Sequence, residues 1–247
     1  MAQLFFDAPT TEHTIHTEIE FLRFRRRVTK EYPWMARYTR QKAIVPDRIF
    51  LAMKRLVDIT LVLLSLPVVL PVLLLVAALI KLEDPKGGVF FLQKRTGRYG
   101  RRFDMYKFRS MVHNAEELKQ KYAHLNELQW PDFKITNDPR VTRIGKILRK
   151  TSLDELPQLL NVLKNDMSLV GPRPTSFAPD TYLLWQTARL DIKPGITGLW
   201  QIIGRGETEF TDRVYLDMFY IEHRSIMFDV EILLRTVFAV ILQRGRT

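Results

Sequence analysis

One stretch governs what this chain can fold into: Ile59 to Ile80, 22 residues without a formal charge, bounded by Asp58 and Lys81. As a straight α-helix it would rise about 33 Å, against a bilayer hydrocarbon core of roughly 30 Å. Length alone describes a single membrane span. Two features favour another path. Pro67 and Pro71 lie near the middle, where each removes a backbone donor and crowds the preceding turn, so a kink or break is expected. Basic residues also flank both ends, with Arg48, Lys54 and Arg55 before the run and Lys81, Lys86, Lys94, Arg95 and Arg98 after it. The positive-inside tendency then keeps both flanks on the cytoplasmic face, which a bent hairpin satisfies and a spanning helix does not. The expected element is a proline-broken re-entrant helix over residues 48–81.

The rest of the chain is soluble in character. Its 247 residues are 46% hydrophobic, enough to bury one sizeable core. Lys and Arg number 38 against 27 Asp and Glu, a net charge of +11, which points to an anionic partner: nucleic acid, acidic lipid or a phosphorylated substrate. The absence of cysteine excludes disulfides, thiolate metal sites and a cysteine nucleophile. Five scattered histidines offer no zinc spacing. The opening MAQLFFDAPTTEH lacks the form of a signal peptide. Residues 1–47 read as a basic extension. Its segment from Glu18 to Arg40, with Phe21, Phe24, Trp34 and Tyr38 interspersed, reads equally as an amphipathic helix on anionic lipid or as a solvated lead-in.

Residues 82–247 are expected to form the soluble domain, mainly α with a small β-hairpin (α+β). Two short apolar runs, Val89–Leu92 and Phe103–Phe108, flank the turn-rich GRYGRRF and predict the two strands. Between Lys94 and Arg109 stand seven basic residues and one acid; following a membrane segment directly, they suit lipid head groups or a phosphate-bearing substrate. Ala115–Leu128 and Val141–Lys150 predict helices, and Leu156, Leu159, Leu160 and Leu163 repeat at helical spacing. The apolar stretch Phe228–Leu242 is too short to span and predicts an interfacial or core helix.

Asp154 and Glu155 are the adjacent carboxylates of an SLDE tetrapeptide. Ser152 followed by Glu155 has the form of a capping box. Pro157 argues instead for a helix starting at Asp154, which puts the proline inside the first turn, where its missing donor is harmless. A carboxylate at that start, near Arg149 and Lys150, would be held ionised in a place that also attracts phosphate. This suits covalent catalysis on phosphorus, with cations neutralising the phosphate charge. The haloacid-dehalogenase DxDx(T/V) pattern of other aspartyl-nucleophile enzymes is absent.

From Lys54 to Gly245 the chain resembles the bacterial sugar transferases of the monotopic phosphoglycosyl transferase type. The resemblance is carried by KRLVD, FFLQKRTG, FDMYKFRSM, the block DPRVTRIGKILRKTSLDELPQLLNVLKNDMSLVGPRP, and KPGITGLWQIIGR, in that order. It implies a cytoplasmic catalytic domain with interfacial helices on a bacterial inner membrane. It also implies transfer of a sugar-1-phosphate from a UDP-sugar to undecaprenyl or another polyprenyl phosphate. Asp154 would be the nucleophile, forming an aspartyl phosphosugar with release of UMP. Glu155 would complete the dyad, and Mg2+ would be held by Asp154 and Glu155, as suits a hard cation among carboxylate and phosphate oxygens. Arg149, Lys107, Arg109 and Arg173 would face substrate phosphates, while Arg205 and Asp217 would serve donor binding or packing. One departure stands out: the family's Ser-Pro kink falls on Leu70 and Pro71, so the serine is missing, with Ser65 and Pro67 nearby. Residues 1–47 have no counterpart in the minimal family pattern. The alternatives are a membrane-tethered nucleic-acid binder, which the basic charge would suit but for which no recognition element is found, and a non-catalytic scaffold.

Overall fold

The computed structural model of the chain describes residues 12–38, 47–127, 135–203 and 209–241. The apolar run becomes part of one long helix, α2, spanning Asp47–Glu83 with Pro67 and Pro71 inside it. The expected break is therefore not an interruption of helical structure. Each proline forfeits only the bond from its own nitrogen, and the four-residue spacing stacks both losses on one side of the helix, where both rings are exposed. Ser65 donates to the Val62 carbonyl at 2.7 Å, one residue before the Leu63 carbonyl that Pro67 leaves without its usual donor.

α2 is two-faced along its length. Lys54, Asp58, Val62, Val76 and Ile80 are buried, a stripe at helical spacing, while Leu56, Leu64, Val68, Leu74 and Leu82 are exposed. Both ends dock on the same folded body. Near the start, Lys54 pairs with Asp229 at 2.5 Å, and Asp58 accepts from the Ser168 hydroxyl at 2.7 Å and the Leu169 N–H at 3.2 Å. Near the end, Val76 and Ile80 cluster with Phe108 and Leu148.

The predicted hairpin forms from β1, Phe90–Thr96, and β2, Arg102–Phe108, antiparallel from Phe90↔Phe108 to Thr96↔Arg102. Its turn requires left-handed backbone at Tyr99 (φ 57°) and Gly100 (φ 76°), a conformation that glycine accepts without penalty. The stretch beginning at Ala115 gives α3, Ala115–Lys121, then a 3₁₀ turn, Ala123–Leu125. The predicted α-helix thus ends early, at Tyr122, whose ψ of 9° leaves the helical region; residue 128 lies outside the described residues.

α4 (Arg143–Thr151), a 3₁₀ turn (Leu153–Gln158) and α5 (Leu159–Leu163) follow. β3 (Ser168–Val170) pairs in parallel with β4 (Gly195–Thr197). This pairing demands glycine at 195, because a Cβ there would lie 2.1 Å from the Gly171 nitrogen. α6 (Leu199–Ile203), α7 (Phe210–His223) and α8 (Ile226–Ile241) close the chain.

The basic N-terminal segment becomes α1, Glu12–Glu31, and a 3₁₀ turn, Pro33–Arg37. Part of its apolar side packs on the body: Phe21 and Phe24 lie 5.7 and 5.3 Å from the Tyr215 ring of α7, in the main core with Phe219, Tyr220 and Phe228, while Ile19 and Leu22 stay exposed. α8 bears out the core reading on one side and leaves its other side apolar and exposed. Phe228 and Ile232 are fully buried, whereas Met227, Leu234, Val237 and Phe238 are exposed.

Candidate active site

Asp154 and Glu155 sit in the 3₁₀ turn Leu153–Gln158, which starts one residue earlier than the sequence suggested. Neither capping reading holds. Ser152 ends α4 in the left-handed region (φ 65°) and makes no side-chain cap to the following turn. The Glu155 carboxylate, which a capping box would turn back on the chain, reaches outward instead: Lys107 donates at 3.1 Å and Arg173 donates through both terminal nitrogens, at 2.5 and 3.1 Å.

Three elements aim these groups. Asn161, fully buried in α5, works as a strand partner for β2: it accepts from the Tyr106 N–H at 2.9 Å and donates to the Asp104 carbonyl at 2.7 Å. That fixes β2 beside the 3₁₀ turn and sets Lys107 against Glu155. Arg173 is carried by the GPRP loop, tied to β1 through Thr96 N–H to the Thr175 carbonyl at 2.9 Å. Behind it, buried Arg189 donates to the Arg173 carbonyl at 2.8 Å and pairs with Asp217 at 2.7 Å.

Arg149 comes from the last turn of α4. The Glu83 carboxylate, at the end of α2, accepts from the Arg143 and Ile144 N–H groups at 2.8 and 3.0 Å, and the Thr142 hydroxyl accepts from Gly145 at 2.9 Å. α2 thus caps the helix that presents Arg149. Gly145 is required because a Cβ would lie 2.0 Å from the Ser110 carbonyl oxygen. The close approach lets Arg149 donate to the Ser110 hydroxyl at 2.9 Å.

The electrostatics divide the two carboxylates. Burial works to raise the Glu155 pKa, but Arg173 and Lys107 outweigh it and hold the carboxyl well below its usual range. Lys107 is lowered, first by burial, against the pull of Glu155. Arg173 is raised: burial opposes, and Glu155 and Asp154 prevail. Asp154 is buried and lies in the field of Lys107, Arg149 and Arg173. Glu155 is therefore neutralised in place, and Asp154 shares a surplus of positive charge of the kind that draws phosphate oxygens.

Of the residues singled out in the sequence, the fold gathers Asp154, Glu155, Lys107, Arg149 and Arg173. Two go elsewhere. Arg109 turns to Asp84, bonding its carboxylate and, at 2.6 Å, its carbonyl: it lies one residue past the end of β2 at Phe108, where strand alternation, which would have kept it on the face of Lys107, no longer sets its direction. Asp217 pairs with Arg189 in the interior and meets the packing half of its expectation. Arg205 lies outside the described residues. Arg95 belongs to the cluster and was hidden within a basic run. It stands near Arg173 and Glu155, and its pKa is pushed down to about 10 by burial and then by the Arg173 charge.

The site was also tested as a magnesium centre. Among the described residues no group of three or more His, Cys, Asp or Glu side chains could hold an ion. Both Glu155 oxygens are occupied by cations, so Glu155 does not fit as a ligand as placed. Asp154 is the remaining carboxylate, and one carboxylate with substrate phosphates is a common magnesium set.

The model of the family described as bacterial sugar transferase matches residues 49–243. The chain is 50% identical over 161 residues to galactosyl transferase CpsE of Streptococcus agalactiae, covering 64% of this chain and 36% of that protein. It is 40% identical to exopolysaccharide production protein ExoY of Sinorhizobium fredii, covering 78% and 87%. It is 42% identical to undecaprenyl-phosphate galactose phosphotransferase of Salmonella typhimurium, covering 78% and 41%. The chain thus spans less than half of the first and third of these relatives and most of the second.

Proposed function

Because the chain belongs to the bacterial sugar transferase family, we propose that it moves a sugar-1-phosphate from a UDP-sugar to undecaprenyl or a similar polyprenyl phosphate, in exopolysaccharide or related glycoconjugate synthesis. The observation that carries this reading is the split between adjacent carboxylates: Glu155 is held by Lys107 and Arg173, while Asp154 lies within the same cations and Arg149. An Asp154 oxygen attacks the sugar-bearing phosphorus, and the bond from that phosphorus to the bridging oxygen breaks, releasing UMP. A lipid phosphate oxygen then attacks the same phosphorus, and the acyl-phosphate bond breaks to restore the carboxylate. Arg149, Arg173, Lys107 and Arg95 neutralise the charge that accumulates on the phosphoryl oxygens. Magnesium, held by Asp154 and donor phosphates, would supply further neutralisation.

The docking of both ends of α2 on one body supports a re-entrant, monotopic seat on the cytoplasmic face of the inner membrane. A span would carry one end across the bilayer, away from residues it touches. The exposed apolar faces of α2 and α8 and exposed Phe90, Phe91 and Leu92 would enter the lipid. A lipid-reconstituted protein given magnesium, polyprenyl phosphate and a panel of UDP-sugars is expected to release UMP with at least one of them, and Asp154→Asn to lose about 10⁴-fold or more of the rate, as removal of a nucleophile does. UMP release unchanged in that variant would refute the assignment.

A further inference from the structure

A second cleft, sharing no lining residue with the Asp154 cluster, opens where α2 begins. Lys54, Arg55, Arg98, Lys193 and Arg224 line it. Asp58 is its one acidic lining residue. Lys54 is neutralised by Asp229, but three other cations are held by neutral oxygens. Arg55 donates to the Val162 and Leu163 carbonyls, Arg98 to the Asp191 carbonyl and the Tyr99 hydroxyl, and Lys193 to the Asn165 amide oxygen. Among the described residues none of these three makes an ion pair with a carboxylate. Burial lowers the Lys193 pKa, and the like charges of Arg55 and Arg98 lower it further. Cations that crowd one cavity in this way gain from an anion that joins them.

The place of the cleft says where that anion comes from. It opens beside the first turns of α2, whose other side at the same level exposes Ile49, Met53 and Leu56. On the membrane-seated reading above, on which this inference rests, that is the depth at which head groups lie and acyl chains begin. We propose that this cleft binds the phosphate of an anionic phospholipid head group, separately from the lipid phosphate consumed at Asp154. The bound phosphate would join α2 to the hairpin turn through Arg98 and to the approach to β4 through Lys193, holding the membrane helix against the catalytic body.

The test uses the whole chain in lipid nanodiscs of phosphatidylcholine, of phosphatidylcholine with phosphatidylglycerol, and of phosphatidylcholine with inorganic phosphate in solution. Acetylation of Lys193 by acetic anhydride is followed by peptide mass spectrometry, relative to exposed Lys146 outside the cleft. Phosphatidylglycerol is expected to slow Lys193 by about fivefold, the worth of one basic residue at an anionic surface, and Arg98→Gln to remove much of that protection. Equal slowing by inorganic phosphate would overturn the head-group assignment. No slowing in either arm, with the protein retained in the discs, would overturn the site and leave the membrane reading standing. Failure to associate with discs of any composition would overturn both.

Discussion

Two neighbouring carboxylates divide their labour through what surrounds them. Glu155 is compensated by two cations in a largely buried setting, so removing its charge leaves Lys107 and Arg173 facing each other without it. Glu155→Gln is expected to cost about 3–5 kcal/mol of stability at neutral pH, measured by urea unfolding in detergent; stability equal to wild type would count against the pairing. Because Glu155 titrates below its usual range when folded, its contribution is complete above that range and is lost as pH falls below it. Asp217 has the opposite sign. Burial raises it from 3.8 to about 6, against the pull of Arg189, so the folded chain binds the extra proton within that window and loses stability as pH rises through it. Asp217→Asn should abolish that slope, worth on the order of 3 kcal/mol, in thermal unfolding across the window; an unchanged slope would exclude Asp217 as its source. At this scale the sequence exposed the dyad and its nearest cations, since motif spacing preserves them. It could not expose Arg95 within a basic run, nor tell that Arg109 meets Asp84, because those fates depend on tertiary pairing.

α2 is where pattern and packing diverged. Its length, its apolarity and its basic flanks were legible, and of the kink or break read at Pro67 and Pro71 the break is absent, since both lie inside one helix, where two lost bonds on one exposed side are tolerated. The 3₁₀ turn Leu153–Gln158 was equally hidden, since a capping box and a proline-compatible start give the same letters as a turn tightened between α4 and α5. In the N-terminal segment the helix was legible and its packing was not: basic residues dominate its composition, while Phe21, Phe24 and Val28 carry its contacts with the body. With both ends of α2 on one body, membrane-impermeant labelling of single cysteines placed at Arg48 and at Lys86 should reach both from the cytoplasmic side only. Labelling of the two from opposite sides would contradict the re-entrant seat.

For the molecule as a whole, three distant segments meet at one carboxylate. The end of α2 caps the helix that bears Arg149, the hairpin supplies Lys107 and Arg95, and the GPRP loop, braced by Arg189 and Asp217, supplies Arg173. Both the charge cluster and the long apolar helix are thus tied to one scaffold; on the proposed function, a soluble donor and a lipid acceptor would meet there. The mainly α architecture with its small hairpin followed from local pattern; the parallel β3–β4 pair did not, since three-residue strands leave too little periodicity to read. On the proposed function, Asp154 becomes covalently bonded to the transferred phosphosugar. Incubating the reconstituted protein with a donor UDP-sugar and no lipid acceptor, then weighing the intact chain and its Asp154 peptide, measures this directly. A mass gain of one sugar phosphate is expected on that peptide, absent in Asp154→Asn and discharged by polyprenyl phosphate. UMP release under the same conditions with no adduct, or an adduct that persists in Asp154→Asn, would contradict it.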